Sequence, residues 1–211
     1  MSKEESNGAA NNSLSFSPAK VVESRTPKQQ GNLTGISRKV KDSCADLHNQ
    51  IFKWDKLLSQ GADLISSISN IKISSATNSD SEQSSAMPDE LQPHCDGLEK
   101  IIFSMEKVVS KMKRVVQSLQ GIAELDSHQQ SDDTAPLFLT WPVSRFADVA
   151  SEIVEMYTKE YDVKVTIKEN VAHTTDRNLL MTYSAAWIHQ IYVQSNSKFM
   201  LESMLIDTGL K

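Results

Sequence analysis

The sequence predicts an all-α fold: a long antiparallel helical hairpin, coiled-coil-like in its patterning, followed by a small C-terminal helical region and preceded by a disordered N-terminal tail. Two segments of similar length with sevenfold apolar periodicity, and one Ser-rich break between them, carry that prediction. A third observation bounds it. Residues 1–34 hold few bulky apolar side chains beyond Leu14, Phe16, Val21, Val22 and Leu33, too few to offset the entropy lost on ordering, so this stretch reads as a disordered tail.

The first helix is expected to begin near Gly35. Apolar or small residues recur at Val40, Cys44, Leu47, Ile51, Trp54, Leu58, Gly61, Ile65 and Ile68, in steps that alternate four and three. That spacing keeps one seam of the helix turned toward a partner helix. Gly61 lies on the seam and costs about 1 kcal/mol of helix propensity relative to Ala, which predicts a kink or a close helix approach there. From Ser74 to Pro88 the apolar period disappears among six serines, so 74–88 reads as a loop.

The second helix repeats the seam at Leu91, Cys95, Leu98, Ile102, Met105, Val109, Met112, Val116, Leu119 and Ala123. Ile101, Val108, Val115 and Ile122 widen the stripe by one flanking position per heptad. A face that broad should touch more than one neighbour, which makes these four residues candidate partner contacts. The hairpin is thus assigned to 35–125 and a polar linker to 126–136, ending at Pro136.

Residues 137–211 form the C-terminal region. Trp141 precedes Pro142 and is steered toward extended geometry. Ser144 is the expected N-cap of a helix carrying Phe146, Val149, Ile153 and Tyr157. Val163 to Ile167 alternates like a strand, yet helical flanks assign it to helix. Thr174 or Asp176 should cap a helix with Leu180, Tyr183, Trp187 and Ile191 on its apolar face, and Ser197 a last one with Phe199, Leu201, Met204 and Leu205, stopped at Gly209.

Composition narrows the function classes. The formal charge of −5 divides unevenly: residues 1–41 carry seven Lys/Arg against three Glu, and residues 42–211 fifteen against twenty-four Asp/Glu. A weakly basic tail on an acidic body disfavours direct nucleic-acid binding. No stretch nears the ~18 apolar residues of a membrane span, and the N-terminus lacks the apolar run of a secretory signal, so no membrane association is expected. Cys44 and Cys95 sit on seam positions and read as small buried hydrophobes.

No cofactor, metal or catalytic constellation is expected. The histidines at 48, 94, 128, 173 and 189 show no ligand spacing, and neither a phosphate-binding glycine loop nor a nucleophile elbow occurs. The chain therefore reads as a protein-binding scaffold, with a self-associating structural coiled coil, such as a homodimer, as the alternative. Trp141, Pro142, Trp187 and His189 join the candidate partner contacts. Ser17-Pro18-Ala19-Lys20 fits the Ser/Thr-Pro-x-basic pattern of cyclin-dependent kinases and Thr26-Pro27-Lys28 its shorter form, making Ser17 and Thr26 candidate phosphosites. Arg177-Asn178-Leu179-Leu180 has the form of a cyclin-docking motif, but Leu180 belongs to an apolar helix face.

A set of residues also resembles a known family. Arg38-Lys39-Val40-Lys41-Asp42, Lys53-Trp54, Thr140-Trp141-Pro142, Glu155-Met156-Tyr157, Ala172-His173-Thr174, Trp187 with His189-Gln190, and Leu201-Glu202-Ser203-Met204-Leu205 are similar in order and spacing to the cyclin-dependent kinase 2-interacting protein family. Leu47 and Ile191 depart from that pattern, where a Trp and a Pro are common. The resemblance implies a non-enzymatic nuclear adaptor, also found in the cytoplasm, whose partners are a cyclin-dependent kinase, a replication-initiating kinase and checkpoint proteins. It further implies a subunit of an AAA-type ATPase complex acting in large ribosomal subunit maturation.

Overall fold

Five helices, α1 (Ile36–Thr77), α2 (Leu91–Gln129), α3 (Val143–Val171), α4 (Arg177–His189) and α5 (Asn196–Asp207), make up the described part of the chain. A computed structural model describes residues 35–77, 89–129 and 136–211, and no strand occurs among them. The tail with Ser17 and Thr26, and most of the Ser-rich segment, lie outside the described residues.

The heptad pattern explains the pairing of the first two helices. Leu64 of α1 lies over Gly97 of α2, where an added Cβ would meet its methyls at 3.2 Å, and the earlier residues 50–60 of α1 lie beside the later residues 104–111 of α2, so the two run antiparallel. Val40, Cys44, Leu47, Trp54, Ile65 and Ile68 of α1 share one buried cluster with Leu91, Leu98, Met105, Val109, Met112 and Leu119 of α2. Each fully buried side chain of this size contributes about 1.5–3 kcal/mol. Both seams are thereby covered within one chain.

α2 packs on α3 as well as on α1, while α4 and α5 each contact α1 and α3 and neither contacts α2. The short helices thus lie between α1 and α3, closing the side of the bundle that α2 leaves open. α3 runs antiparallel to α2, since Cys95 and Glu99 share a surface cleft with Lys168 and Val171.

Several boundaries differ from those the sequence suggests. α1 continues through Ser74–Thr77, into the segment read as a loop; Ser75 Oγ donates to Ile71 O, so a serine here is compatible with one more helical turn. α2 continues to Gln129, and Asp126 is buried rather than part of an exposed linker. Ser144 is not a cap. Pro142 occupies the N-cap of α3, where its fixed φ of −70° suits the entry and where a proline's missing N–H leaves no donor unsatisfied.

Asp176 caps α4 as expected, its carboxylate accepting from Asn178 N at 2.8 Å. Ser195, not Ser197, precedes α5, and Ser197 is buried inside it. Gly209 at φ +65° ends α5, with Leu210 N donating to Leu205 O at 2.8 Å and Gly209 N to Ile206 O at 3.0 Å. Only glycine takes that left-handed position without strain, so the last carbonyls of α5 are satisfied by the turn. The strand-like run 163–167 is helical, and its alternation has a specific cause described below.

Candidate interaction surface

The structure redistributes the residues singled out as partner contacts. Val108 (6% exposed) and Ile122 (7%) are buried, and Ile101 and Val115 are half-buried against the same core. The reason is that α2 touches two neighbours of its own chain, α1 and α3, and the widened stripe serves both. Those four residues therefore form no continuous free stripe, and only Val108 reaches the floor of a surface groove. Trp187 is likewise fully buried, and a docking role for it is corrected on the same ground.

Trp187 enters a notch made by Gly61. A Cβ at Gly61 would lie 2.1 Å from Trp187 Cζ2, so the seam glycine marks a close approach between α1 and α4. The indole Nε1–H donates to Leu58 O at 2.9 Å. Leu180 is fully buried, which ties the Arg177–Leu180 sequence to the same packing. His189 is exposed at the end of α4, Trp141 is half-buried with its ring 5.2 Å from that of Phe146, and Pro142 is half-buried at the start of α3.

A polar cluster that the pattern of apolar residues does not disclose holds α4 in place. Lys164 and Glu160, one helical turn apart on α3, are both fully buried and paired at 2.5 Å. Lys164 Nζ also donates to Trp187 O at 2.6 Å and Ala186 O at 3.0 Å, carbonyls of the last turn of α4, where the negative end of the helix favours a cation. Glu160 Oε2 accepts from Tyr192 N at 2.8 Å just beyond that turn. Burial pulls the Lys164 ammonium below the ordinary lysine range, and Glu160 opposes that pull. Gln190, left-handed at φ 48°, turns the chain and accepts from Trp54 Nε1 at 2.7 Å. The signal in sequence was Glu160 and Lys164 at i, i+4 on the helix face of Tyr157, Ile167 and Val171, and the buried Lys164 between two valines gives 163–167 its alternation.

At the other end, Asp207 Oδ1 accepts from Thr140 N at 2.8 Å and Thr140 Oγ1 at 2.6 Å, fastening the segment before α3 to the end of α5. Cys44 is buried nearby, and burial followed by the Asp207 charge pushes its thiol up to about 12. Such a thiol is inert at neutral pH. Cys95 is half-buried, and burial raises its thiol too.

An open groove of about 520 Å³ remains between α1, α3 and α5. Ile51, Leu201 and Leu205 form its apolar floor with the ring of Tyr157, while Phe52, 55% exposed, and Leu210 stand at its edges. Asp55 lies in its wall opposite Lys198; burial raises the Asp55 carboxyl, and Lys198 acts against that rise. Burial, then the Asp55 charge, raises the Tyr157 hydroxyl. His48, Glu202 and Lys211 complete a charged rim of both signs. An apolar floor with a charged rim is the anatomy of a protein-docking surface. Sequence reasoning missed it, because Phe52 and Leu210 lie off the heptad seam and α5 had no assigned place on α1.

Among the described residues no group of three or more His, Cys, Asp or Glu side chains could hold a metal ion, and no helix is long and apolar enough to cross a membrane.

No family model matches the chain. Whole-length relatives do. The chain is 37% identical over 207 residues, 90% of its length and 97% of the relative's, to a Mus musculus protein named cyclin-dependent kinase 2-interacting protein. The Homo sapiens protein of that name is 35% identical over the same shares. The Xenopus laevis protein is 36% identical over 195 residues, 87% of this chain and 94% of the relative.

Proposed function

The chain belongs to the cyclin-dependent kinase 2-interacting protein family, and from that premise we propose that it is a non-enzymatic adaptor that binds a cyclin-dependent kinase. Within that role it links the kinase to a replication-initiating kinase at origins and to checkpoint signalling in the nucleus. It also serves as a subunit of an AAA-type ATPase assembly in large ribosomal subunit maturation.

The observation that carries the reading is the similarity along nine-tenths of the chain to relatives whose name states kinase interaction. The architecture supports it in a general way. A bundle with its seams filled internally offers a rigid support, and the α1/α5 groove offers apolar contact area framed by charge. Phosphorylation of Ser17 or Thr26 by the bound kinase would add about −1.5 to −2 charges per site to a weakly basic tail, a means of altering its contacts after docking.

The test is capture of purified cyclin-dependent kinase 2 with its cyclin on the immobilised full chain. Saturable binding is expected, weakened about tenfold or more by Phe52→Glu with Leu210→Glu, both at exposed positions. Absence of binding to the wild-type chain contradicts the adaptor reading. Unchanged binding by the double variant moves the contact away from the α1/α5 groove.

A further inference from the structure

A second groove, sharing no residue with the first, runs along the α1/α2 pair and encloses about 350 Å³. Its charge is unlike that of the rest of the body. Lys53 and Lys56 border it from α1, Lys107 and Lys111 from α2, and no carboxylate lines it. The body as a whole is acidic, with fifteen Lys/Arg against twenty-four Asp/Glu over residues 42–211. None of the four lysines forms an ion pair among the described residues.

The acidic residues interleaved with them in sequence are directed elsewhere. Asp55 lines the other groove beside Lys198, and Glu106 acts on Tyr161 of α3. Lys56 Nζ lies 4.5 Å from the Phe52 ring and Lys107 Nζ 4.1 Å from the Phe103 ring, contacts that leave both charges unneutralised, so the groove keeps a positive rim. Its floor is apolar at Leu57 and Val108.

The geometry points to this α1/α2 groove as a docking site for an acidic amphipathic helix of a partner protein, its apolar edge on Leu57 and Val108 and its carboxylates against Lys53, Lys56, Lys107 and Lys111. The mode is that of a third helix laid along an antiparallel pair, with charges at the flanking positions selecting the partner. Lysines on two helices, facing each other across one apolar channel, suit a helix with Glu on both flanks. Nucleic acid suits them less, because it needs a longer track of cations than four lysines and the body as a whole is acidic.

This inference goes beyond kinase binding and does not depend on it. Its test uses the full chain and fluorescence anisotropy of a labelled peptide of about three heptads, with Leu at a and d and Glu at e and g. Two other probes accompany it: the same peptide with Lys in place of Glu, and a single-stranded oligonucleotide. Saturable, salt-sensitive binding of the acidic peptide alone is expected, with the affinity lowered about tenfold or more when Lys53, Lys56, Lys107 and Lys111 are all changed to Glu. The same four changed to Gln should weaken it by a smaller factor.

All four side chains are exposed, so the helical circular dichroism should stay unchanged. Reversing Lys39, Lys113, Arg114 and Arg177, exposed cations outside both grooves, alters net charge equally and should cost less than about threefold. Failure of the acidic peptide to bind, an equal loss in both reversal variants, or tighter binding of the oligonucleotide than of the acidic peptide overturns the proposal. Kinase capture by the lysine variants separates the two readings, since loss of peptide binding with kinase binding intact leaves the α1/α5 reading standing.

Discussion

The α1/α2 interface and the attachment of α4 are built from different physics. Between α1 and α2 the contact is long, repetitive and dry, a series of Leu, Ile, Val and Met side chains in which each contributes a similar increment. Between α4 and the long helices the contact is short and singular: one tryptophan in one glycine notch, one buried ion pair on two carbonyls, one left-handed glutamine. The first interface should lose stability gradually as residues are trimmed. The second should fail at a single substitution, because a buried charge or an indole has no neighbour able to replace it.

Trp187→Ala gives the largest expected effect. Removing a fully buried indole costs about 3–5 kcal/mol and leaves the Leu58 carbonyl without its donor. Urea unfolding should show that loss, whereas Val109→Ala on the seam should lose markedly less. Comparable losses at the two sites would erase the contrast.

Lys164→Ala comes next. It strands a buried Glu160 and should cost roughly 3–5 kcal/mol, while Lys164→Met combined with Glu160→Leu should lie close to wild type. That non-additivity is readable as a double-mutant cycle. A double variant as unstable as the single would mean that the contacts to Ala186 O, Trp187 O and Tyr192 N, rather than the pairing, set the stability.

Alkali should sharpen the comparison by a smaller amount. Cys44 keeps its proton to about 12 in the folded chain but releases it near 9 when unfolded, so the folded state binds more protons across that window and stability falls as pH rises from 9 toward 12. Tyr157, also raised by burial, acts with the same sign at higher pH. Thermal melts from neutral pH upward should show a decline that Cys44→Ala reduces. The smallest effect expected is Asp176→Ala, about 1 kcal/mol for loss of the α4 cap.

The same contrast explains what was legible in the sequence. Heptad spacing fixes which side of a helix is covered, so α1 and α2 could be read residue by residue, and Gly61 announced a close approach. Periodicity does not name the covering element. For that reason Ile122 looked available to a partner when it is buried in the chain's own core, and Ile191 and Phe199, counted on apolar faces, are 63% and 72% exposed. The cluster of Lys164, Glu160 and Gln190 depends on tertiary contacts between α3 and the end of α4, and no local spacing carries such a contact. The two grooves were hidden for a related reason, each being the space between helices whose relative placement the pattern left open.

The account rests on both heptad seams being filled inside one chain, so that grooves rather than seams are left for partners. Sedimentation velocity of the purified full chain, over a range reaching tens of micromolar, tests this most directly. A monomer at every concentration is the predicted result; a dimer that persists on dilution would show that the seams pair between chains and would contradict it.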